Sequence, residues 1–240
     1  MTYRQQYEDD RLIVQALHHY VQRHHIQIAE KTEEAWVHII GEILRFHREL
    51  RWNSAVSNVH LVSSVDELIE IFALRSRIYK NMGYDLEFSD PVFGLNYDAY
   101  DTRSAILYTT SNGSVSGTCR IIFDTDGKLP IDKNYSLAYL RTNGNRLAEL
   151  SRLMIDKETK GLGQEFRWLT KGTFYIMREN NYDILVSVMI KEHFKMYERF
   201  GGFRIEKELP VYGNLSTPFI ITSWRVRDFS PFFKRIFLDH

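Results

Sequence analysis

Apolar residues recur at three- and four-residue spacing in the first fifty positions: Ile13, Leu17, Tyr20 and Val21, then Trp36, Ile39, Ile40, Ile43 and Leu44. That periodicity predicts a helical hairpin broken near His25 to Ile28. After Arg51 the pattern changes to short β-branched runs alternating with amphipathic stretches. A strand is predicted over Val59 to Ser63, then a helix opened by Ser64 with Glu67 as its capping-box partner, carrying Leu68, Ile71, Phe72, Arg75 and Tyr79. Ile106 to Thr110 and Ser114 to Phe123 form a hairpin across Asn112-Gly113, a dipeptide suited to the left-handed turn that joins paired strands.

Further strands are predicted at Leu147 to Ile155, Ile184 to Ile190, Phe203 to Leu209 and Phe219 to Val226. Helices are predicted at Gly163 to Asn180 and Glu192 to Phe200, with a short one after Ser230-Pro231. Strands interleaved with helices imply an α/β or α+β layer architecture with a mixed central sheet. The expected organisation is a helical extension over residues 1–56 and a catalytic domain over 57–240.

Composition narrows the partners. The chain has 31 basic and 31 acidic residues, so no global field favours nucleic acid or an anionic membrane. No apolar window reaches the roughly 18 residues of a membrane span. The polar first residues and the single cysteine, Cys119, point to a cytoplasmic protein without internal disulfides. Six of the nine histidines precede Leu50, including His18-His19 and His24-His25, but without ligand-like acidic spacing they read as a solvated helix, and no metal is expected.

Six charged residues interrupt otherwise apolar patterns: Arg75, Asp98, Asp101, Arg120, Glu149 and Arg152. Charges at buried strand or helix positions are costly unless paired, so each alone reads as a structural ion pair, while together they imply a polar site. Four blocks carry them: Leu74-Arg75-Ser76-Arg77-Ile78-Tyr79, Tyr97-Asp98-Ala99-Tyr100-Asp101, Gly117-Thr118-Cys119-Arg120 and Glu149-Leu150-Ser151-Arg152-Leu153. In order and spacing these blocks resemble the long-chain N-acyl amino acid synthases and the related acyl-homoserine-lactone (autoinducer) synthases, both of the GNAT acyltransferase fold. Met196 to Phe203 and the closing Pro210-Val211-Tyr212-Gly213, with Thr217-Pro218, resemble the N-acyl amino acid synthase branch more. The lactone synthases usually have tryptophan and phenylalanine in the first block, where this chain has Tyr84 and Tyr79, which argues against S-adenosylmethionine as a substrate.

The resemblance implies an N-acyltransferase moving a medium or long acyl chain from a carrier thioester to the amine of an amino acid. The alternatives are lactone synthesis from S-adenosylmethionine, and a non-catalytic module that binds an acyl group or its carrier. Attack by an amine requires loss of a proton, and Glu149 is the strand carboxylate placed to take it; its bland reading is a salt bridge to Arg120 or Arg152. Asp98 and Asp101 either hold the substrate ammonium or cap a turn. Arg75, Arg120 and Arg152 offer planar forks for a carboxylate. Tyr79 and Tyr84 belong to the same substrate region.

By the same resemblance Tyr197 protonates the leaving thiolate, with His193 as a fallback; the bland reading of Tyr197 is a half-buried aromatic on an amphipathic helix. Gly161 and Gly163 match the core of a pyrophosphate-cradling turn, but Glu158 stands where that motif has arginine or glutamine and would repel coenzyme A. Acyl carrier protein, bringing one phosphate on its phosphopantetheine arm, is therefore the expected donor ahead of acyl-CoA, and no permanently bound cofactor is expected. Lys157, Lys160, Arg167 and Lys171 form a candidate docking face for that acidic partner, and Arg225, Arg227, Lys234 and Arg235 a second. Cys119, in an apolar strand without a paired base, reads as a core residue.

Overall fold

The computed structural model describes residues 3–52, 58–125, 128–157, 162–209 and 218–239. The expected boundary between residues 56 and 57, Glu158, Lys160, Gly161 and the Pro210 to Thr217 signature lie outside these.

Helices α1 (Tyr3–Arg23) and α2 (Glu30–Glu49) form the predicted hairpin. After β1 (His60–Leu61), α3 (Val65–Met82) begins with the predicted capping box. Ser64 Oγ accepts from Glu67 N at 3.3 Å, and Ser64 N donates to the Glu67 carboxylate at 3.1 Å. Strands β2 (Ser104–Ser111) and β3 (Ser114–Phe123) turn at Asn112 and Gly113, with φ of 54° and 80°. Then come β4 (Leu147–Ile155), α4 (Leu162–Glu179), β5 (Ile184–Ile190), α5 (Phe194–Glu198), β6 (Phe203–Leu209), β7 (Phe219–Arg225) and α6 (Pro231–Phe233). The helix predicted from Glu192 is a 3-10 turn, Lys191–His193, running into the five-residue α5. The predicted first strand shortens to two residues, and Val59 and Val62 are spent on core packing.

The strands form one mixed sheet in the order β1-β2-β3-β4-β5-β7-β6, in which β4 and β5 are the parallel pair and the other neighbours run antiparallel. Alternation along the strands assigns the two faces. One face carries Leu107, Cys119, Ile121, Phe123, Ala148 and Leu185 and is covered by α4 and the C-terminal Phe233 and Phe237. The other carries Ile106 and Tyr108 under α1 to α3, and Ile122, Val186 and Ile221 under the loop that holds Leu129, Ile131, Leu137 and Leu140.

Two irregularities shape the middle of the sheet. The β4–β5 ladder runs only from Leu147↔Ile184 to Leu150↔Ser187, while β5 continues against β7 to Ile190, so the sheet splays between β4 and β5. At the same point β4 bulges: Arg120 pairs with Ser151 and Thr118 with Met154, leaving Arg152 and Leu153 opposite Cys119, with Arg152 at φ 52°.

The N-terminal helices are built into the core. Trp36 is fully buried, donates its indole N–H to the Ile13 carbonyl at 3.3 Å, and meets Phe72 and Tyr97 edge-on. Trp36→Ala should therefore lower the unfolding free energy by about 3–5 kcal/mol in urea titration. A cost under about 1 kcal/mol would show that α2 is only loosely applied.

Candidate functional site

Arg75 on α3 sits fully buried and donates to Asp101 at 2.9 Å. Asp101 lies in a short 3-10 turn, Ala99–Arg103, and its other oxygen accepts from Asp98 N at 2.8 Å. Asp98 accepts from Tyr100 N at 2.8 Å, so the capping and ion-pairing readings of the two aspartates hold together. Arg120 on β3 donates to Asp98 at 2.7 Å, approaches Asp101 at 3.2 Å, and bonds Ser151 Oγ at 2.9 Å. Arg152, aimed by the β4 bulge, donates to the second Asp98 oxygen at 2.7 Å and to Asn96, while its guanidinium lies over the stacked rings of Tyr79 and Phe88.

Five of the six predicted residues thus form one continuous ion network. Glu149 belongs to the same face of β4 as Ser151 but joins through space, feeling Arg120 and Asp98 without bonding either. Its carboxylate accepts instead from Ile131 N, at 3.0 Å, so neither predicted salt bridge forms. Tyr84 sits at the end of α3, where its N–H bonds the Tyr79 carbonyl, outside the network.

Charge and solvation separate these acids. Burial raises every carboxyl pKa, but Arg120 and Arg152 outweigh it at Asp98, and Arg75 and Arg120 outweigh it at Asp101, so both stay well below the usual carboxylate range. At Glu149 burial wins over the Ile131 N–H and Arg120, and the pKa is pushed up to about 7. At Arg120 burial is outweighed by Asp101 and Asp98, so the guanidinium is held charged even more firmly than usual. Three arginines face two aspartates, a surplus of one positive charge, and Arg75 Nε and Nη2 and Arg152 Nε are buried without partners among the described residues. The arginines thereby hold both aspartates ionised, while part of their own donor capacity stays unmet.

Across the thickness of β4, on the α4 face, lies an almost wholly apolar cavity of about 20 Å³. Leu150, Leu153, Leu185, Tyr197, Phe203 and Trp224 line it where β4 and β5 part. Tyr197 packs against Phe166, Phe200 and Phe203, and burial pushes its hydroxyl pKa well up. His193 is exposed. Cys119 is buried on this side, with its thiol pKa pushed up to about 12 by burial, against a weak contact to Thr173 Oγ1 at 3.6 Å. On α4, Gly163 is exposed, Arg167 donates to the Ile236 carbonyl, and Lys171 is half-buried. Among the described residues no cluster of His, Cys, Asp and Glu could hold a metal ion, and no helix is long and apolar enough to cross a membrane.

Asn96, Ser151, Phe88 and the Ile131 N–H complete the site without having been singled out in the sequence. Asn96 was the findable one, a buried amide between Leu95 and Tyr97, one position ahead of the aspartate-bearing block. A backbone N–H from a distant loop leaves no sequence signal.

A mixed sheet splayed between its two parallel strands and flanked by helices is a GNAT-like fold, and the family comparison makes the chain an acyltransferase. The family described as FeeM, N-acyl amino acid synthase, matches residues 70–224, well over half of the chain. The chain belongs to that family. Among solved structures it is similar to the N-acyl amino acid synthase FeeM from uncultured soil microbes, with TM-score 0.56 and 21% identity over 75% of this chain and 94% of that one. It is also similar to the acyl-homoserine-lactone synthase LasI, with TM-score 0.55 and 20% identity over 70% and 89% of the two chains. The CoA-dependent acyl-homoserine lactone synthase BjaI aligns with TM-score 0.53 and 16% identity over 68% and 77%. No curated protein sequence matches the chain.

The electrostatics can be tested by unfolding. Asp101→Asn leaves Arg75 buried without its counter-ion and should cost about 3–5 kcal/mol in denaturant unfolding. Glu149 has a folded-state pKa above its unfolded value of about 4.5, so its contribution to stability is complete below that value and is lost as pH rises through about 7. Glu149→Gln should therefore exceed wild type in stability at pH 8, by on the order of 3 kcal/mol, and match it near pH 4. A difference independent of pH would place the ionisation elsewhere.

Proposed function

We propose that this acyltransferase joins a medium or long acyl chain to the α-amine of an amino acid, taking the acyl group from acyl carrier protein. The observation that carries the reading is Glu149. A carboxyl with a pKa of about 7 stands beside a net-positive ion cluster and back to back, across one strand, with an apolar cavity. A general base works best when its pKa lies near the working pH.

In this reading the thioester lies in the β4–β5 splay, with its carbonyl oxygen facing β4 N–H groups beyond the last β5 partner and the fatty chain directed at the apolar residues there. The cavity of about 20 Å³ has room for about one water-sized group, so the chain enters only as Leu150, Leu153 and Tyr197 move apart. Glu149 takes a proton from the acceptor ammonium, and the freed amine attacks the carbonyl carbon. The tetrahedral intermediate expels the thiolate, and the second amine proton passes to the sulfur, giving amide and free thiol. Arg75, Arg120 and Arg152 hold Asp98 and Asp101 ionised, and Asp98, a third of whose side chain is accessible, meets the incoming ammonium. Tyr79 and Tyr84 bound that side. Tyr197, kept protonated by burial, hydrogen-bonds the departing sulfur. Lys160 and Lys171 are the basic residues assigned to the carrier protein, and Gly161 and Gly163 the small residues assigned to its phosphate; Arg167 is held by the C-terminal segment.

Purified protein incubated with long-chain acyl carrier protein or acyl-CoA, and with either an amino-acid mixture or S-adenosylmethionine, should release N-acyl amino acids detectable by mass spectrometry. Lactone instead would select autoinducer synthesis. Glu149→Gln should lower kcat by about 10²–10⁴-fold, and wild-type kcat/KM should rise with pH through about 7. Full turnover by that variant would remove Glu149 from the mechanism. Lys160→Glu with Lys171→Glu should raise KM for the carrier protein and spare short soluble thioesters.

A further inference from the structure

A cleft of about 440 Å³ opens between α2 and the 89–99 segment, on the sheet face that carries the ion network. That volume is within the usual range for a small-molecule site. Its α2 wall is the stripe Lys31, Ala35 and Ile39, four residues apart, with Thr32 beside it; its other wall includes Pro91, Tyr97 and Asp98. Asp98 is the joint between this cleft and the cluster. Its oxygens bond Arg120 and Arg152, yet a third of its side chain remains accessible.

The α2 wall is fixed in place. The neighbouring stripe, Trp36, Ile40 and Ile43, is fully buried, and Trp36 holds the Tyr97 ring edge-on at 5.4 Å. The helix starts at Glu30 with Ala29 as its N-cap, which offers no capping side chain, so the positive end of a 20-residue helix stands at the Lys31 end of the cleft. Of the two acids in that turn, Glu33 is engaged with His18 at 2.7 Å and lines a different groove, while Glu30, the first residue of the helix, is exposed and does not line the cleft.

We propose that this cleft is the acceptor site, and that α2 selects the amino acid: the ammonium approaches Asp98, the carboxylate reaches Lys31 and the α2 N-terminus, and an apolar or aromatic side chain lies against Ala35, Ile39 and Pro91. The proposal rests on the acyl-transfer reading above and adds a specificity wall to it. A zwitterion matches one anionic and one cationic lining group in a single cleft, and the apolar strip between walls leaves room for a side chain without a charge of its own. The family match begins at residue 70, so the α2 wall lies outside the matched region and is supplied by the chain's own N-terminal helices.

The test compares wild type, Lys31→Glu and Ala35→Trp. It reads acceptor KM, donor KM and melting temperature, together with calorimetric binding of the same amino acids. Lys31→Glu should raise acceptor KM and the calorimetric Kd by about tenfold or more, because a charge-assisted contact becomes a repulsion, and should not affect the matching decarboxylated amines. Ala35→Trp should exclude large apolar amino acids while retaining glycine and alanine. Donor KM and melting temperature should stay at wild-type values. Wild-type acceptor KM and Kd in both variants would overturn the proposal. Should wild type bind amino acids and lose them on Lys31→Glu, yet acylate none, the cleft stands and the transfer reading falls.

Discussion

The structure is organised around a buried ion network in which positive charge exceeds negative by one. Arg75, Asp101, Arg120, Asp98 and Arg152 come from α3, a 3-10 turn, β3 and the bulge of β4, so the network ties together elements far apart in sequence. Each aspartate faces two guanidinium groups, which is what keeps it ionised despite burial. The same burial acts on Glu149 with little more than a backbone N–H to oppose it, and there it prevails. One environment thereby yields two permanently charged carboxylates and one that titrates near neutrality, the separation on which acid–base chemistry by similar groups depends.

Geometry around β4 gives this contrast its use. Alternation along the strand sends Glu149 and Ser151 to one side and Leu150 to the other, and the parallel ladder stops at Leu150. Ionic and apolar surroundings therefore meet where the sheet parts. Arg152, in a left-handed backbone conformation, belongs to the same irregularity: the bulge both breaks the regular pairing with β3 and turns a guanidinium toward Asp98.

Much of this was legible in the sequence because it depends on local rules. The Ser64–Glu67 capping box, the Asn112-Gly113 turn and the run from Leu147 to Ile155 all sit where residue type and period place them, and the six charges stood out against apolar strands. The sequence was silent where non-local contacts decide. The loop donor from Ile131 replaced the expected arginine partner of Glu149, and the bulge at Arg152 has no glycine to announce it. The helix from Glu192 starts as a 3-10 turn and ends at Glu198, and Gly201 and Gly202, with φ of 77° and 72°, turn the chain just beyond it; an added Cβ would meet backbone within 2.6 to 2.7 Å at either position. Periodicity also marked α2 as amphipathic, but not that one of its stripes would face Asp98.

The apolar cavity has a wall of unusual origin. Phe200, which lines it, rests on Phe233 and Phe237 at centroid distances of 5.3 and 4.9 Å, and Arg167 clasps the carbonyl of Ile236 beside them. These last aromatics contribute no rung to the sheet. The wall behind the strand opening is thus backed by residues that follow the last strand, so the support of the cavity comes from outside the β4–β5 ladder.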